Sequence, residues 1–180
     1  MGSHYALVAY VKDPVGEFIE SLRRELCPNH PDWPAHITVL PPRLLNGTEE
    51  QALQVVDDVC QRVMPFDVEM GNAETFVPTT PTVFIRVAER AYRLRELHDH
   101  LNYGPLALDE HWPYMPHLTI AKLGTSEEAL HVLDVARRRW AEYKGSRIIQ
   151  IEELTFVREG SGSDWVDLAP VPLGRTLALR

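Results

Sequence analysis

The feature of this sequence that most constrains its fold is a short histidine–threonine segment that occurs twice. The first copy is Ala35-His36-Ile37-Thr38-Val39 and the second is Pro116-His117-Leu118-Thr119-Ile120, with the second histidine 81 positions after the first. Both copies are rich in β-branched and apolar residues, which is typical of a β-strand. Because strand side chains alternate between two faces, the histidine and the threonine of each copy share one face. Each segment is therefore predicted to be half hydrophobic core and half functional site.

The elements around the two copies recur in the same order. Strand, helix, histidine strand, helix and long strand follow one another in each half of the chain. The segments Glu74–Val77 and Leu154–Val157 also match, 80 positions apart. A chance repeat of one short motif is common, but a repeat of motif, element order and spacing together indicates an internal duplication. Two copies related by a pseudo-two-fold axis would bring His36 and His117 to one central cleft.

The chain is predicted to fold as one α+β domain over residues 4–180. The domain would comprise two duplicated lobes, at about 4–81 and 82–180, related by that pseudo-two-fold axis. Exchange of strands between the lobes is left open. Hydrophobic residues make up 44% of the 180 residues, which is enough for a substantial core. Residues 1–3, with the sequence Met-Gly-Ser, resemble a cloning remnant and are left out of the functional argument.

Local signals give the expected boundaries of several elements. Thr48 and Gln51 fit a capping box at the start of a helix. The strand at His36–Leu40 is expected to end at the two prolines that follow it. Arg147–Val157 is predicted to be one long strand, and Thr176–Leu179 is a candidate for a further strand.

The composition excludes some partners. The net charge of −8 and the sequence pI of about 5.4 argue against a broad nucleic-acid coat or an anionic membrane surface, but they leave room for a small phosphate-binding cleft. No apolar run approaches the roughly 20 residues of a membrane-spanning helix. The two cysteines, Cys27 and Cys60, have no spacing typical of a zinc site, so a reducing cytoplasm is the expected setting. We expect a monomer with no protein partner.

Two histidines and two hydroxyl donors in one cleft suit the cleavage of a phosphodiester. An imidazole titrates near pH 6.5 in its ordinary state, so one ring can be neutral while the other is protonated. The neutral ring would act as general base and the protonated ring as general acid. The threonine hydroxyls would donate hydrogen bonds to the phosphate oxygens in the transition state. This chemistry needs no metal and no cofactor, and none is expected.

Residues near the two motifs are further candidates for substrate contacts. Arg43 lies just after the first motif and is a candidate to bind phosphate. Lys122 follows the second motif, but it has the parity of Leu118, so a regular strand would direct it away from the cleft. Tyr114 and Tyr10 are candidates to stack on a nucleobase, although aromatic residues in such positions more often belong to the core.

The two tetrads resemble the paired H-x-[ST]-x motifs of the 2H phosphoesterase superfamily. They are His36–Val39 and His117–Ile120, and the segment Tyr114-Met115-Pro116 also resembles the 2′–5′ RNA ligase-like and 2′,3′-cyclic phosphodiesterase branch. The resemblance covers nearly the whole chain. It implies a bilobal α+β fold in which antiparallel sheets line a central cleft, with helices outside.

The resemblance also implies residue roles and a substrate class. His36 and His117 would be the acid and the base, in an order that stays open, and Thr38 and Thr119 would bind phosphate. The implied reaction is hydrolysis of 2′,3′-cyclic phosphates, or of related cyclic or 2′–5′ linkages, in RNA ends or small nucleotides. Two alternatives remain, namely a non-catalytic module that binds RNA ends or a phosphorylated metabolite, and an RNA 2′–5′ ligase that runs the reverse reaction.

Overall fold

A computed structural model describes residues 2–29, 32–162 and 164–174 of the chain. Within these residues, strands and helices follow one another largely in the repeated order that the sequence predicts. In chain order, the elements are β1 (Tyr5–Tyr10), α1 (Pro14–Leu26), β2 (His36–Arg43), α2 (Glu49–Cys60), β3 (Phe66–Thr75), β4 (Thr82–Glu89), α3 (Ala91–Leu101), the 3-10 turn Gly104–Leu106, β5 (His117–Lys122), α4 (Ser126–Glu142), β6 (Ile148–Ile151), β7 (Glu153–Glu159) and β8 (Trp165–Pro172).

The strands of the described residues form one eight-stranded sheet in the order β6-β3-β4-β5-β2-β1-β7-β8. Neighbouring strands are antiparallel throughout, so the predicted α+β class with antiparallel strands is confirmed. The two histidine strands, β2 and β5, are neighbours at the middle of this order. They pair at a single register position, where Ile37 lies opposite Leu118. The sheet therefore consists of two four-stranded halves that are joined at a narrow point.

The third strand of each sequence repeat lies in the opposite half of the sheet. β3 follows the first histidine strand in sequence but pairs with β4, while β7 pairs with β1. Neither half of the sheet is therefore made from a continuous half of the chain. The interpretation of the halves as duplicated lobes stays a prediction.

The match between Glu74–Val77 and Leu154–Val157 is out of register with the sheet. Thr75 pairs with Val83, which faces the main core, whereas Thr155 pairs with Val8 on the opposite face. A shift of one residue reverses the faces of a strand, so these matched threonines are not equivalent. The strand pairing makes Glu74, which lies opposite Phe84, the equivalent of Thr155, which lies opposite Val8. These two residues are 81 positions apart, as the two histidines are.

The prediction of one long strand over Arg147–Val157 is wrong, because the chain forms two strands there. β6 pairs with β3 in one half of the sheet, and β7 pairs with β1 in the other, with only Glu152 between them. The sheet must therefore curl until these two strands meet. The residues of the main core fall at odd positions before this point, at Ile149 and Ile151, and at even positions after it, at Leu154 and Phe156. This break in the alternation is a sequence signal for two strands in place of one.

β2 continues through the two prolines that were expected to end it. It runs to Arg43, which lies opposite Tyr5 of β1. Beyond Leu40 this strand has β1 on one side and no ladder to β5 on the other among the described residues. Proline is tolerated in such an edge, because its missing N–H leaves no ladder bond unmade.

The helices α1 to α4 pack on one face of the sheet around the main hydrophobic core. The predicted capping box at Thr48 and Gln51 is confirmed, and Thr125 forms a second one with Glu128 at the start of α4. No helix in the described part of the chain is long and apolar enough to cross a membrane. The candidate strand Thr176–Leu179 lies outside the described residues.

Candidate active site

The first motif divides its side chains between the two faces of β2, as the alternation predicts. Ile37 and Val39 are fully buried in the core. His36 and Thr38 are half-buried on the opposite face, which we call the cleft face. Tyr10 lies opposite His36 on β1, and the two rings meet edge to face with their centroids 6.4 Å apart.

The second motif repeats this arrangement on β5. His117 and Thr119 are half-buried on the cleft face, and the apolar residue after each is fully buried. His117 lies between two aromatic rings, with centroid distances of 5.2 Å to Phe76 and 5.1 Å to Phe84. The imidazole of His117 is therefore partly surrounded by apolar side chains.

The pairing of β2 with β5 brings the two motifs together. Because Ile37 lies opposite Leu118 in an antiparallel pair, the histidine of each strand is placed near the threonine of the other. The positive charge of His117 is also among the causes that lower the pKa of His36, in agreement with this strand pairing. The cleft face therefore presents two imidazoles and two hydroxyls to one space.

Both imidazoles are held by the same hydrogen bond. Nδ1 of His36 is 2.8 Å from the carbonyl oxygen of Pro34, and Nδ1 of His117 is 2.8 Å from that of Met115. A carbonyl oxygen can only accept, so each Nδ1 carries the hydrogen and donates. In a neutral ring, Nε2 then holds the lone pair, and it can accept a proton in the cleft.

The environment of the site keeps both imidazoles neutral more readily than in water. Burial lowers the pKa of His36 and of His117, because desolvation penalises the charged ring. The Nδ1 hydrogen bonds oppose this effect. At pH 7 these rings are therefore suited to accept a proton, and an anion in the cleft would favour the charged form.

A β-bulge brings Lys122 onto the cleft face. The register of β5 against β4 shifts by one residue at Ile120, so Lys122 lies opposite Thr82, whose parity is that of the cleft-facing positions of β4. Lys122 is exposed, and its charge contributes to the lowered pKa of both His36 and His117. The expectation that Lys122 points away from the cleft is therefore wrong, because it assumed a regular strand.

The first motif strand has a bulge at the equivalent position. The register of β2 against β1 shifts by one residue at Val39. Val39 and Ile120 each follow the threonine of their motif, and both are fully buried. The next residues, Leu40 and Ala121, are buried as well. Two successive apolar residues after each threonine are the sequence trace of these bulges.

Arg43 does not reach the cleft, so the prediction that it binds substrate phosphate is wrong. Its residue exposure is 2%, and its guanidinium forms an ion pair with Glu110. It also donates to the side chain of Asn102 at 2.7 Å and to the carbonyl of Leu106 at 2.8 Å. Arg43 therefore fixes the segment between α3 and β5 to the first motif strand.

The two tyrosines suggested as stacking partners lie in different environments. Tyr10 is on the cleft face, where its hydroxyl donates to Asp167 at 2.6 Å. Tyr114 is packed against the core and stacks on the ring of His98, with centroids 4.3 Å apart. Its hydroxyl donates to the carbonyl of Thr38 at 2.9 Å. Tyr10 stays a candidate for nucleobase contact, whereas Tyr114 supports the first motif strand from behind.

A cluster typical of a metal centre is absent from the part of the chain that the structure describes. Among residues 2–29, 32–162 and 164–174, no group of three or more histidine, cysteine, aspartate or glutamate side chains is arranged to hold a metal ion. His98 is buried, and its Nε2 lies 3.0 Å from a carboxylate oxygen of Glu110.

Family comparison agrees with this geometry. A family model described as the 2′-5′ RNA ligase superfamily matches residues 11–162, a span that contains both motifs and the strands that carry them. The chain belongs to this superfamily. The resemblance to 2H phosphoesterases that the paired motifs indicated is thus confirmed.

Curated relatives in this group are provisionally named phosphoesterases. One from Halalkalibacterium halodurans is 28% identical over 120 residues, which cover 66% of this chain and 70% of the relative. One from Bacillus cytotoxicus is 27% identical over 127 residues, covering 68% and 72%. The chain is therefore similar in sequence to proteins that carry this provisional name.

Solved structures share the whole fold. Escherichia coli LigT in complex with 3′-AMP has a TM-score of 0.62 and 13% identity, over 96% of this chain and 99% of LigT. Kluyveromyces marxianus Usb1 has a TM-score of 0.51 and 12% identity, over 94% and 98%. At this level of identity the likeness concerns the fold, and it covers both halves of the sheet.

Proposed function

We propose that this protein is a metal-independent phosphodiesterase that hydrolyses 2′,3′-cyclic phosphates, or related cyclic or 2′–5′ linkages, in RNA ends or nucleotides. The observation that carries the proposal is the matched anchoring of His36 and His117. Each ring donates from Nδ1 to a carbonyl two residues upstream and keeps Nε2 for the cleft. Two such imidazoles suit an acid–base pair on opposite sides of one phosphorus.

The reaction follows from this pair. Nε2 of the neutral imidazole takes a proton from a water molecule, whose oxygen forms a bond to phosphorus. The bond from phosphorus to the ribose oxygen breaks, and the protonated imidazole gives its proton to that leaving oxygen. The product is a phosphomonoester with a free hydroxyl. The two rings have then exchanged protonation states, and proton exchange with water restores them.

Hydroxyl and ammonium groups on the cleft face are suited to hold the phosphate. Thr38 and Thr119 are half-buried beside the histidines, where their hydroxyls can donate to the non-bridging oxygens. Lys122 adds a positive charge on the same face, which would stabilise the negative charge that these oxygens carry in the transition state. Tyr10, next to His36, is the aromatic residue best placed to contact a base.

Nucleotide substrates have independent support from the structural neighbours. Crystal structures of Escherichia coli LigT contain 3′-AMP, ATP or phosphate. A small nucleotide or RNA end also agrees with the net charge of −8, because one local cleft can bind a phosphate without a basic surface. A cytoplasmic monomer that acts on such ends is part of the same proposal.

The first test replaces each histidine. In His36→Ala or His117→Ala, we expect hydrolysis of a 2′,3′-cyclic nucleotide to fall by about 10²–10⁴-fold, which is the usual contribution of a general acid or base. His131→Ala on the exposed face of α4 is the matched control and should keep full activity. Product formation is followed by chromatography, with and without EDTA, and EDTA should leave the rate unchanged.

The same experiment separates the alternatives. A double variant of His36 and His117 with full activity would contradict the proposal. A wild-type protein that binds nucleotides by calorimetry but forms no product would instead support a binding module. A panel of cyclic nucleotides, 2′–5′ dinucleotides and RNA with a cyclic phosphate end, scored for the position of the product phosphate, would define the linkage.

A further inference from the structure

The carbonyl groups at the second bulge are held by a buried arginine from α1. Arg23 has a residue exposure of 5%. Its Nε donates to the carbonyl of Ile120 at 2.8 Å, and one terminal nitrogen donates to that of Thr119 at 2.9 Å. The other terminal nitrogen donates to the carbonyl of Trp33, in the segment before the first motif. One guanidinium thus joins the second motif strand to the segment that leads into the first.

The equivalent carbonyl of the first motif strand is also held by a side chain. The hydroxyl of Tyr114 donates to the carbonyl of Thr38 at 2.9 Å. The tyrosine ring is fixed by stacking on His98, whose ring is nearly parallel to it at 5°. Thr38 and Thr119 occupy the same position in their motifs, so both motif strands are fastened at the same backbone atom.

The two contacts cross between the motifs. Arg23 precedes the first motif and holds the second, whereas Tyr114 precedes the second motif and holds the first. β2 and β5 pair at one position, so the ladder between them fixes their separation only weakly. We propose that Arg23 and Tyr114 are positioning residues that set the separation of the two motif strands, so that both histidines reach one phosphate. This inference rests on the proposed function.

The size of the expected effect follows from the geometry of the reaction. A misplacement of about 1 Å at the reacting atoms can cost roughly 10²-fold in rate. The planar guanidinium donates in three directions at once, and a lysine ammonium cannot reproduce that fork. Arg23→Lys therefore keeps the positive charge but loses the planar set of donors. Arg23→Gln loses both the charge and the planar set of donors.

The charge of Arg23 gives a second readout that a purely structural role would not move. Arg23 is among the causes that lower the pKa of His36, after burial, and it is not among those for His117. Removing the charge should therefore raise the pKa of His36 alone. The other titratable or charged groups that lie near His36 include Glu20 on α1, Tyr10 on β1, His117 and Lys122 on β5, and Asp167 on β8.

The test compares four variants. In Arg23→Lys and Tyr114→Phe, we expect kcat for the cyclic nucleotide to fall by up to about 10²-fold. Arg23→Gln should lose as much activity, and it should also raise the pKa of His36, measured by NMR titration of its ring protons, while Arg23→Lys leaves that pKa unchanged. Arg24→Gln is the control, because it removes a charge from the exposed neighbour on the same helix. Wild-type kcat in both Arg23→Lys and Tyr114→Phe would overturn the proposal.

A measurement without turnover distinguishes this inference from the proposed function. Inorganic phosphate is titrated into each protein while the ring protons of both histidines are followed. In the wild type, one phosphate should shift the signals of His36 and His117 together, and in Arg23→Lys or Tyr114→Phe the joint response should be lost. An inactive wild type with the joint response refutes only the proposed function. An unchanged joint response in both variants refutes the positioning role.

Discussion

At the scale of single residues, two backbone carbonyls orient the two imidazoles of the cleft. The carbonyls of Pro34 and Met115 each accept a hydrogen bond from Nδ1 of the histidine two positions later, so Nε2 carries the lone pair when the ring is neutral. Sequence alternation predicts that both imidazoles share a face, but it gives no information on the tautomer. The two rings are alike in anchoring and differ in surroundings, because His117 contacts two phenylalanines.

The lowered pKa values predict the pH dependence of activity. Burial lowers the pKa of His36 and His117 below the ordinary value of about 6.5, so both rings are mostly neutral at pH 7 in the free protein. As the pH falls, protonation of one ring first supplies the general acid. Protonation of the other ring at lower pH then removes the general base. We expect a bell-shaped profile of kcat/KM with its optimum below pH ~6.5. An optimum on the alkaline side of the ordinary imidazole pKa would contradict this.

At the scale of elements, the bulges explain both what the sequence predicts and where that prediction fails. Regular alternation correctly places His36, Thr38 and their counterparts, because these residues precede the extra residue in each strand. It misplaces Lys122, because that residue follows a bulge. The prediction for Arg43 fails for a different reason. The hydrogen-bond partners of Arg43 lie about sixty residues later in the chain, and no local sequence pattern indicates them.

Arg43 is predicted to matter for stability. In Arg43→Met, the carboxylate of Glu110 stays largely buried but loses its ion pair with the guanidinium of Arg43. Breaking a buried pair in this way typically costs about 3–5 kcal/mol. Urea unfolding monitored by circular dichroism measures the change in the free energy of unfolding. Arg138→Met on the exposed face of α4 is the control and should change it by no more than about 0.5 kcal/mol. A loss below about 1 kcal/mol in Arg43→Met would show that the buried pair is not stabilising.

At the scale of the whole molecule, the sheet joins distant parts of the chain. β1, at the start of the chain, is completed by β7, and β3 belongs with β4. The order of elements and the central place of the histidines are predictable from the repeat. The exchange of the third strands is not, because strand periodicity shows that a segment is extended and leaves its partner unspecified.

This exchange predicts that neither half of the chain folds alone. A fragment ending at Thr79 lacks the outer neighbour of β1, and one starting at Thr80 lacks the outer neighbour of β4. We expect each fragment to lack cooperative unfolding by circular dichroism, and the mixture to recover it together with activity. As a control, the same break is made after folding, through a protease site inserted between these two exposed threonines. Cooperative unfolding of either fragment alone would contradict the prediction.

The distance along the chain between β1 and β7 also determines when the cleft can exist during synthesis. β1 starts at Tyr5, and its outer neighbour starts at Glu153. A nascent chain that has left the ribosome as far as the second motif carries both histidines on an incomplete sheet. Long-range pairing of this kind forms late in folding. If the proposed activity holds, a phosphodiesterase is thus made beside ribosomal and messenger RNA in a state without its finished cleft, which forms only after β7 and β8 emerge.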